Sequence, residues 1–229
     1  MTAAAPREGL HELLEAAGID PNLVDRLARF GELVLETNRR FNLTGAKSAL
    51  ELAPHIVDSL SVVPFVREPY VDIGSGGGFP AIPVAIATGT HVTMIETTAK
   101  KARFLRETLD VFGLQGDVIA ERAEVADHDE RLRARFASGT ARAVASAPTV
   151  AELLLPLIAT GGVAILQRGR DEERERRALE DAALMLGAAL ESERDLGDGR
   201  RILLLRKTHA TPIRFPRRTG VPEKRPLCL

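Results

Sequence analysis

The chain has 229 residues, of which 45% are hydrophobic and 28% charged, and its formal net charge is −1. This composition predicts a folded domain with a large core, and it excludes both a disordered chain and a protein that holds nucleic acid by its overall charge. The single cysteine excludes an internal disulfide, residues 1–7 lack the pattern of a signal peptide, and no apolar run approaches the roughly 20 residues that span a bilayer, so we expect a cytoplasmic protein without a membrane partner.

Helical periodicity dominates the first part of the chain, which we predict to be a helical extension over residues 1–66. A first helix ends at Gly18, a second begins after the N-cap Asp20, and Ser48 caps a third. Residues 37–45, between the second and third helices, bring together amides, hydroxyls and guanidinium groups. These groups either face a site or only cap the interhelical loop.

His55 and Asp58 share one face of the third predicted helix because they are three residues apart. A lone His–Asp pair is more often structural than catalytic, and no serine or cysteine nucleophile motif lies nearby. We therefore predict no catalytic triad.

Residues 70–83 place a short apolar run, an acid and four glycines directly ahead of a helical segment, which predicts a strand, a cofactor loop and a helix. Glycine has no Cβ, so such a loop can turn sharply and lie against a ligand. The spacing from the end of the strand is Asp72-x-Gly74-x-Gly76-x-Gly78. The chain has no Gly-Lys-Ser/Thr here, which excludes the phosphate loop of nucleoside triphosphatases.

Two kinds of nucleoside cofactor fit this glycine loop. In the first register Phe79 occupies the third glycine position of the dinucleotide pattern, which favours S-adenosylmethionine. A shifted register, Gly76-x-Gly78-x-x-Ala81, satisfies the dinucleotide pattern, so an NAD(P)-dependent oxidoreductase stays open as an alternative. Glu96 ends the next predicted strand, where an acid accepts ribose hydroxyls in either kind of cofactor.

Strand and helix patterns alternate over residues 67–207, which predicts an α/β fold with a doubly wound, mostly parallel sheet. The later predicted elements are strands over residues 117–120, 140–145 and 161–166, helices from Thr98 and from Pro148 through Ile158, and a charged helix over residues 171–190. Gly197-Asp198-Gly199 then predicts a hairpin. A terminal hairpin after five strand and helix units is typical of seven-stranded methyltransferase sheets.

Arg142 is an unusual residue within a predicted strand, because a buried guanidinium needs a partner. It either closes a pocket or leaves the sheet edge to form an ion pair. Both interpretations are open from the sequence.

The last residues, 208–229, are predicted to form a basic tail. From Arg200 onwards the chain carries nine Lys or Arg and one acid, Glu223. This local charge is the best candidate for phosphate contacts, and the alternative is a solubilising tail. The candidate RNA contacts are Arg214, Arg217, Arg218, Lys224 and Arg225.

Six segments spread over most of the chain carry a resemblance to known proteins. They are Asn38-x-x-Phe41-Asn42-Leu43-Thr44, His55-x-x-Asp58-Ser59-Leu60, residues 72–83, Lys100-Lys101-x-Arg103-Phe104-Leu105, Ala141-Arg142-Ala143-Val144 and the arginine-rich residues 215–227. This combination resembles the RsmG family, also called GidB, of bacterial 16S rRNA guanine-7 methyltransferases. The glycine loop alone would not be specific.

The resemblance implies a class I, Rossmann-like methyltransferase sheet, S-adenosylmethionine as cofactor, and a guanine in the decoding-region loop of 16S rRNA as acceptor. Ring nitrogen N7 of guanine has an in-plane lone pair and no proton, so we expect positioning to dominate and no obligatory catalytic residue. Candidates that position the guanine are Asn42, His55 and Arg142. The cofactor-binding candidates are Asp72, Gly74, Gly76, Phe79, Glu96, Ala123, Glu124 and Arg142. A non-enzymatic rRNA-binding assembly factor is a further alternative.

Two local departures from the family pattern concern the later strands. Where the family usually carries Leu-Lys-Gly, this chain has Leu166-Gln167-Arg168-Gly169, and the acid that often precedes the fourth strand is absent from residues 136–138. The role of Arg168 in contacting RNA is therefore open. We expect a monomer and no metal site.

Overall fold

The computed structural model describes residues 6–142, 145–169 and 173–229. The helices in these ranges are α1 (Pro6–Ala16), α2 (Pro21–Asn38), α3 (Ala49–Leu60), α4 (Ala81–Thr88), α5 (Ala99–Phe112), α6 (Ala123–Ala126), α7 (Ala147–Leu154), α8 (Glu173–Met185) and α9 (Val221–Lys224). The strands are β1 (Tyr70–Ile73), β2 (Val92–Ile95), β3 (Gly116–Ile119), β4 (Phe136–Arg142), β5 (Ile158–Arg168), β6 (Ala188–Gly197) and β7 (Arg200–Lys207). None of the helices within the described ranges is long and apolar enough to cross a membrane.

The strands form one seven-stranded sheet in the order β3-β2-β1-β4-β5-β7-β6. The first five strands pair in parallel, and β7 is antiparallel to both β5 and β6. β1 and β2 are buried along their whole length, as strands with helices on both faces must be. The predicted doubly wound methyltransferase sheet is confirmed. The strand order reverses direction between β1 and β4, and ligands bind at the carboxyl ends of strands beside such a switch point.

The N-terminal helices cover one face of the sheet. The Asp20 carboxylate accepts the N–H of Asn22 at 2.9 Å at the start of α2, as predicted for an N-cap. The buried residues of α1, α2 and α3 share one hydrophobic cluster with α4 and with one face of the sheet, and they include Leu10, Leu27, Phe30, Leu52 and Ile56. The boundary at residue 66 stays a prediction, since the helices and the sheet share this core.

Several element boundaries differ from the predicted ones. β4 begins at Phe136 instead of residue 140. The prediction missed the first half of this strand because it contains small residues that serve close packing: a Cβ on Gly139 would lie 2.8 Å from side chains of α7 and β5. Residues 143–144, predicted to continue this strand, lie outside the described ranges. Ile158, predicted to lie in a helix, begins β5.

The charged helix predicted over residues 171–190 has its first residues outside the described ranges and ends earlier than predicted. α8 stops at Met185, two residues before Gly187, whose φ of +80° ends the helix. Leu190 instead pairs with β7 as part of β6. The predicted hairpin is confirmed: Asp198 and Gly199 both have positive φ, as a two-residue turn between twisted strands requires.

Residues 208–229, which we call the C-terminal segment, fold back onto the second face of the sheet. Phe215 and Leu227 are buried in the same hydrophobic cluster as α7 and α8. The Arg133 guanidinium donates to the carbonyl oxygens of Phe215 and Thr211, each at 3.0 Å. The sequence predicted a tail, and the structure shows a packed segment.

Candidate functional site

The glycine loop follows β1 at the switch point of the sheet. The N–H of Gly74 donates to the carbonyl of Ile95 at 2.8 Å, which joins the start of the loop to the end of β2. Gly78 has a φ of +90°, and a Cβ there would lie 2.7 Å from Cγ1 of Ile82. Only glycine lets the chain turn this close to α4.

Glu96 lies directly after β2 and faces the glycine loop. Its buried carboxylate accepts the N–H of Gly76 at 2.9 Å and the N–H of Thr98 at 2.7 Å. A carboxylate offers about four lone-pair positions, so two hydrogen bonds leave acceptor capacity. This capacity fits the ribose hydroxyls of a nucleoside.

Asp72 lies beneath the loop at the end of a buried hydrogen-bonded chain. The hydroxyl of Thr140 donates to Oδ1 of Asp72 at 2.6 Å, and the hydroxyl of Tyr70 in turn lies 2.6 Å from the Thr140 oxygen. Oδ2 of Asp72 has no hydrogen-bond partner in the described part of the chain. Because the side chain is 0% exposed, burial raises the pKa of Asp72 to about 7. The carboxyl therefore changes charge near neutral pH.

The sequence analysis did not identify Tyr70 and Thr140 as part of this site. Thr140 is the direct partner of Asp72 in the pairing of β4 with β1. That pairing depends on the register of two strands that lie far apart along the chain, so no local pattern could have revealed it.

Arg142, at the end of β4, forms the ion pair that was one of the two interpretations open from the sequence, and its role in closing a pocket stays a prediction. Its Nη1 lies 3.3 Å from Oδ2 of Asp58 and donates to the carbonyl of His55, also at 3.3 Å. Its guanidinium carbon lies 5.1 Å from the centre of the Phe79 ring, within cation–π range. Gln167 of β5 also donates to Asp58 Oδ2, at 3.1 Å. The ion pair thus holds the arginine against the glycine loop.

His55 is half-buried beside Arg142, with its ring centre 6.2 Å from that of Phe79. Burial and the positive charge of Arg142 lower the pKa of His55, and Asp58 opposes them less strongly. The imidazole is therefore neutral at physiological pH, so it does not repel a positively charged ligand.

Among the described residues, Asn42 makes no hydrogen bond or ring contact with His55 or Arg142. Asn42 is exposed and borders a cleft of about 640 Å³ between α2 and α3. Asn38 organises this loop: its side chain donates to the carbonyl of Thr44 at 3.0 Å and accepts the N–H of Leu43 at 2.7 Å. For Asn38 the capped-loop interpretation holds, and a role for Asn42 on the guanine side stays a prediction.

Ala123 and Glu124 follow β3 and border a small cavity of about 120 Å³ that also reaches Gly74. Burial alone would raise the pKa of Glu124, but the N–H of Gly220 and the side chain of Arg122 hold it below its ordinary value. Oε1 of Glu124 lies 2.9 Å from the backbone nitrogen of Gly220 and 3.2 Å from Nη2 of Arg122. The sequence did not reveal that the C-terminal segment touches this acid.

The basic run that begins at Arg200 is less available for RNA than its sequence suggests. Lys207 is buried and donates to the carbonyl of Leu155 at 2.6 Å, and Arg217 forms a two-pronged pair with the fully buried Glu152. Three further arginines have acidic partners, namely Arg200, Arg201 and Arg206. Of the five candidate RNA contacts, four are exposed: Arg214, Arg218, Lys224 and Arg225.

Arg168, the departure from the family pattern, faces into the protein. Its guanidinium donates to the carbonyl of Ala145 at 2.6 Å and to Glu175 of α8 at 2.7 Å. Arg168 therefore links Ala145, which follows β4 in the chain, to α8.

The sheet order, the glycine loop after β1 and the acid after β2 together define a Rossmann-like methyltransferase. Solved structures of that class share the fold. The mitomycin 7-O-methyltransferase MmcR superposes with a TM-score of 0.57 over 89% of this chain and 68% of its own, at 15% identity. The ribosomal protein L11 methylase of Lactobacillus delbrueckii subsp. bulgaricus superposes with a TM-score of 0.54 over 69% of this chain and 80% of its own, at 15% identity.

The particular family follows from the sequence comparisons. The GidB family model, described as rRNA small subunit methyltransferase G, matches residues 24–204. A ribosomal RNA small subunit methyltransferase G of Rubrobacter xylanophilus is 39% identical over 96% of this chain and 91% of its own length. One of Pelotomaculum thermopropionicum is 35% identical over 96% and 97%. The chain belongs to the GidB family of rRNA small subunit methyltransferases, and the resemblance noted in the sequence is confirmed.

Proposed function

We propose that this protein transfers the methyl group of S-adenosylmethionine to N7 of a guanine in the decoding-region loop of 16S rRNA. Family membership supports a methyltransferase that acts on small-subunit rRNA. The observation that carries the cofactor assignment is the convergence of the Glu96 carboxylate and the buried Asp72 on the glycine loop. We infer that the protein acts in the cytoplasm, where ribosomal subunits are made.

The residues around the loop fit the groups of this cofactor. Glu96 accepts the ribose hydroxyls, and Ala123 and Glu124 border the space beyond the ribose. Asp72 supplies a negative charge below a loop that would hold a sulfonium cation, and its unpartnered Oδ2 is an acceptor that the described part of the protein leaves unused. When bound, S-adenosylmethionine supplies an electrophilic methyl group.

The guanine side needs residues that orient a base and move no proton, because N7 is already unprotonated. Arg142 is held by Asp58 and stacks on Phe79. A guanidinium in this place can donate to O6 of guanine while N7 stays free to attack the methyl group. Holding the two reacting atoms in line can contribute roughly 7–11 kcal/mol in well-oriented systems.

Phosphate contacts in this proposal fall on the four exposed cations of the C-terminal segment, Arg214, Arg218, Lys224 and Arg225. Arg217 has a buried partner in Glu152, so we assign it a structural role. The two alternatives, an oxidoreductase and a non-enzymatic assembly factor, are not favoured by membership of a methyltransferase family.

The test is transfer of tritium from labelled S-adenosylmethionine to rRNA and to 30S subunits from a strain that lacks the protein, followed by mapping of the modified base. The proposal expects label at N7 of one guanine with the native chain and a loss of at least tenfold with Arg142→Ala. Arg206→Ala, which removes a partly exposed partner of Glu191 beside the amino-terminal part of β5, is the control. Label on another atom of the base, or none on either acceptor, would contradict the proposal.

A further inference from the structure

The C-terminal segment lies against the cavity that follows β3. The N–H of Gly220 donates to Oε1 of Glu124 at 2.9 Å, and the hydroxyl of Thr149 in α7 donates to the carbonyl of Pro222 at 3.0 Å. Glu223 borders the same cavity as Gly74. A segment expected from its charge to contact RNA is thus also a wall of the candidate cofactor site.

This wall is fixed in place by buried contacts. Both carboxylate oxygens of Glu152, which is 0% exposed, accept hydrogen bonds from Arg217, and the N–H of Arg217 donates to the same acid at 2.8 Å. Phe215, two residues before it, is buried in the core. The residues from 217 to 223 therefore keep a defined position relative to α7.

The order of the strands identifies which part of a nucleoside this wall faces. Glu96 follows β2 and is placed to accept the ribose hydroxyls. The cavity also meets β3, on the far side of β2 from the glycine loop, through Ala123 and Glu124. Its volume of about 120 Å³ is well below the roughly 300–1,000 Å³ of sites that hold a whole ligand. It therefore suits one part of the cofactor, the base.

Two acids border this cavity, and they differ in availability. The Glu124 carboxylate already accepts hydrogen bonds from Gly220 and Arg122. The Glu223 carboxylate is exposed and has no hydrogen bond or ion pair to any residue in the described ranges. Adenine presents an exocyclic amino group, a donor that a free carboxylate accepts with a charge-assisted bond.

We propose that the C-terminal segment closes the base side of the cofactor site and that Glu223 accepts a hydrogen bond from the exocyclic amino group of adenine. This inference rests on the proposed function, since it takes the cofactor to be an adenine nucleoside. It assigns to Glu223 the recognition of the base, while Gly220 and Thr149 position the segment that carries it.

The test measures binding by calorimetry, with S-adenosylhomocysteine and with its purine analogue, in which hydrogen replaces the amino group and N1 stays an acceptor. Glu223→Ala should weaken binding of the adenine ligand by about tenfold or more and leave binding of the purine ligand unchanged. Glu223→Gln should keep part of the preference for adenine, because its amide oxygen still accepts a hydrogen bond but carries no full charge. The matched control is Glu12→Gln, an exposed acid on α1.

The outcomes separate the inference from the proposed function. If the native chain binds neither ligand, the proposed function fails and this inference with it. If the native chain binds the adenine ligand and Glu223→Ala binds it equally well, the inference alone is overturned. An equal loss for both ligands also overturns it, because that result indicates a structural role. Unfolding midpoints within error of the native chain show that the variants are folded.

Discussion

Replacing Asp72 by Asn tests whether a buried acid with a displaced pKa lies under the glycine loop. The pKa of Asp72 rises from 3.8 to about 7 on folding. The native state therefore keeps the proton in an interval where the unfolded chain has lost it, so this group makes stability fall as pH rises from 3.8 to about 7. Above about pH 7 the full loss of stability caused by ionising the buried Asp72 remains.

The magnitude follows from the size of the displacement. About three pKa units correspond to about 4 kcal/mol at about 1.36 kcal/mol per unit, and roughly 2–3 kcal/mol of this falls between about pH 5 and about pH 8. The amide that replaces the carboxyl cannot ionise, so the variant should lack this contribution. Urea unfolding of both chains at these two pH values gives the difference, and the other titrating groups cancel in the comparison. Equal pH dependence of the two chains, within about 0.5 kcal/mol, would show that Asp72 titrates normally.

The number of protons that Asp72 releases on cofactor binding should depend on the charge of the cofactor. A cation bound near Asp72 favours its ionised form, so binding of S-adenosylmethionine near neutral pH should release a fraction of a proton. The uncharged thioether of S-adenosylhomocysteine should release less. Calorimetry in buffers of different ionisation enthalpy measures the proton count, and Asp72→Asn should make the two ligands equal. Equal counts with the native chain would remove Asp72 from the sulfonium site.

Three further substitutions test the loop and the segment that packs beside it. Glu96→Gln should weaken binding of the cofactor by roughly 1.5–3 kcal/mol, about tenfold to hundredfold, in calorimetry, because it removes a charge-assisted acceptor; unchanged affinity would exclude the ribose contact. Gly78→Ala should destabilise the fold by about 1–3 kcal/mol in urea unfolding, since the new Cβ meets Ile82 at positive φ. Arg217→Met should cost about 3–5 kcal/mol in the free energy of unfolding by leaving the buried Glu152 carboxylate with only the backbone N–H of residue 217 and no positive charge, and adding Glu152→Gln should recover part of it. No recovery in the double variant would show that Arg217 acts through packing instead of charge.

The sequence predicted those parts of the fold that local patterns determine. The caps at Asp20 and Ser48, the apolar strands, the glycine loop and the turn at Asp198 all depend on a few neighbouring residues. The start of β4 was missed because Ser and Gly there serve close packing and carry no strand signal. Local chemistry thus predicted element type well and element ends less well.

The sequence could not predict those residues of the candidate site whose positions depend on tertiary contacts. Glu96 and Arg142 lie at strand ends, where the sequence analysis expected them, because polar residues there stand out from an apolar pattern; their roles stay predictions. Thr140 and the proposed contact of Glu223 could not be predicted in that way. Thr140 depends on the register of two strands, and Glu223 depends on the fold of a segment whose charge suggested RNA contacts. The number of Lys and Arg residues from Arg200 onwards was misleading for the same reason. Acids distant in sequence form ion pairs with four of these residues.

Asp58 shows how the predicted helical extension contributes to the proposed site. This one carboxylate, on α3, forms ion pairs with Arg142 of β4 and Arg200 of β7 and accepts a hydrogen bond from Gln167 of β5. The Arg142 side chain is only 16% exposed, so without Asp58 its charge would be buried with only Asp72, which forms no hydrogen bond with it in the described part of the chain, to offset it. The guanidinium would then have to move towards solvent and leave Phe79. The boundary near residue 66 therefore divides the chain by pattern, while the guanine side of the proposed site is built from both parts of it.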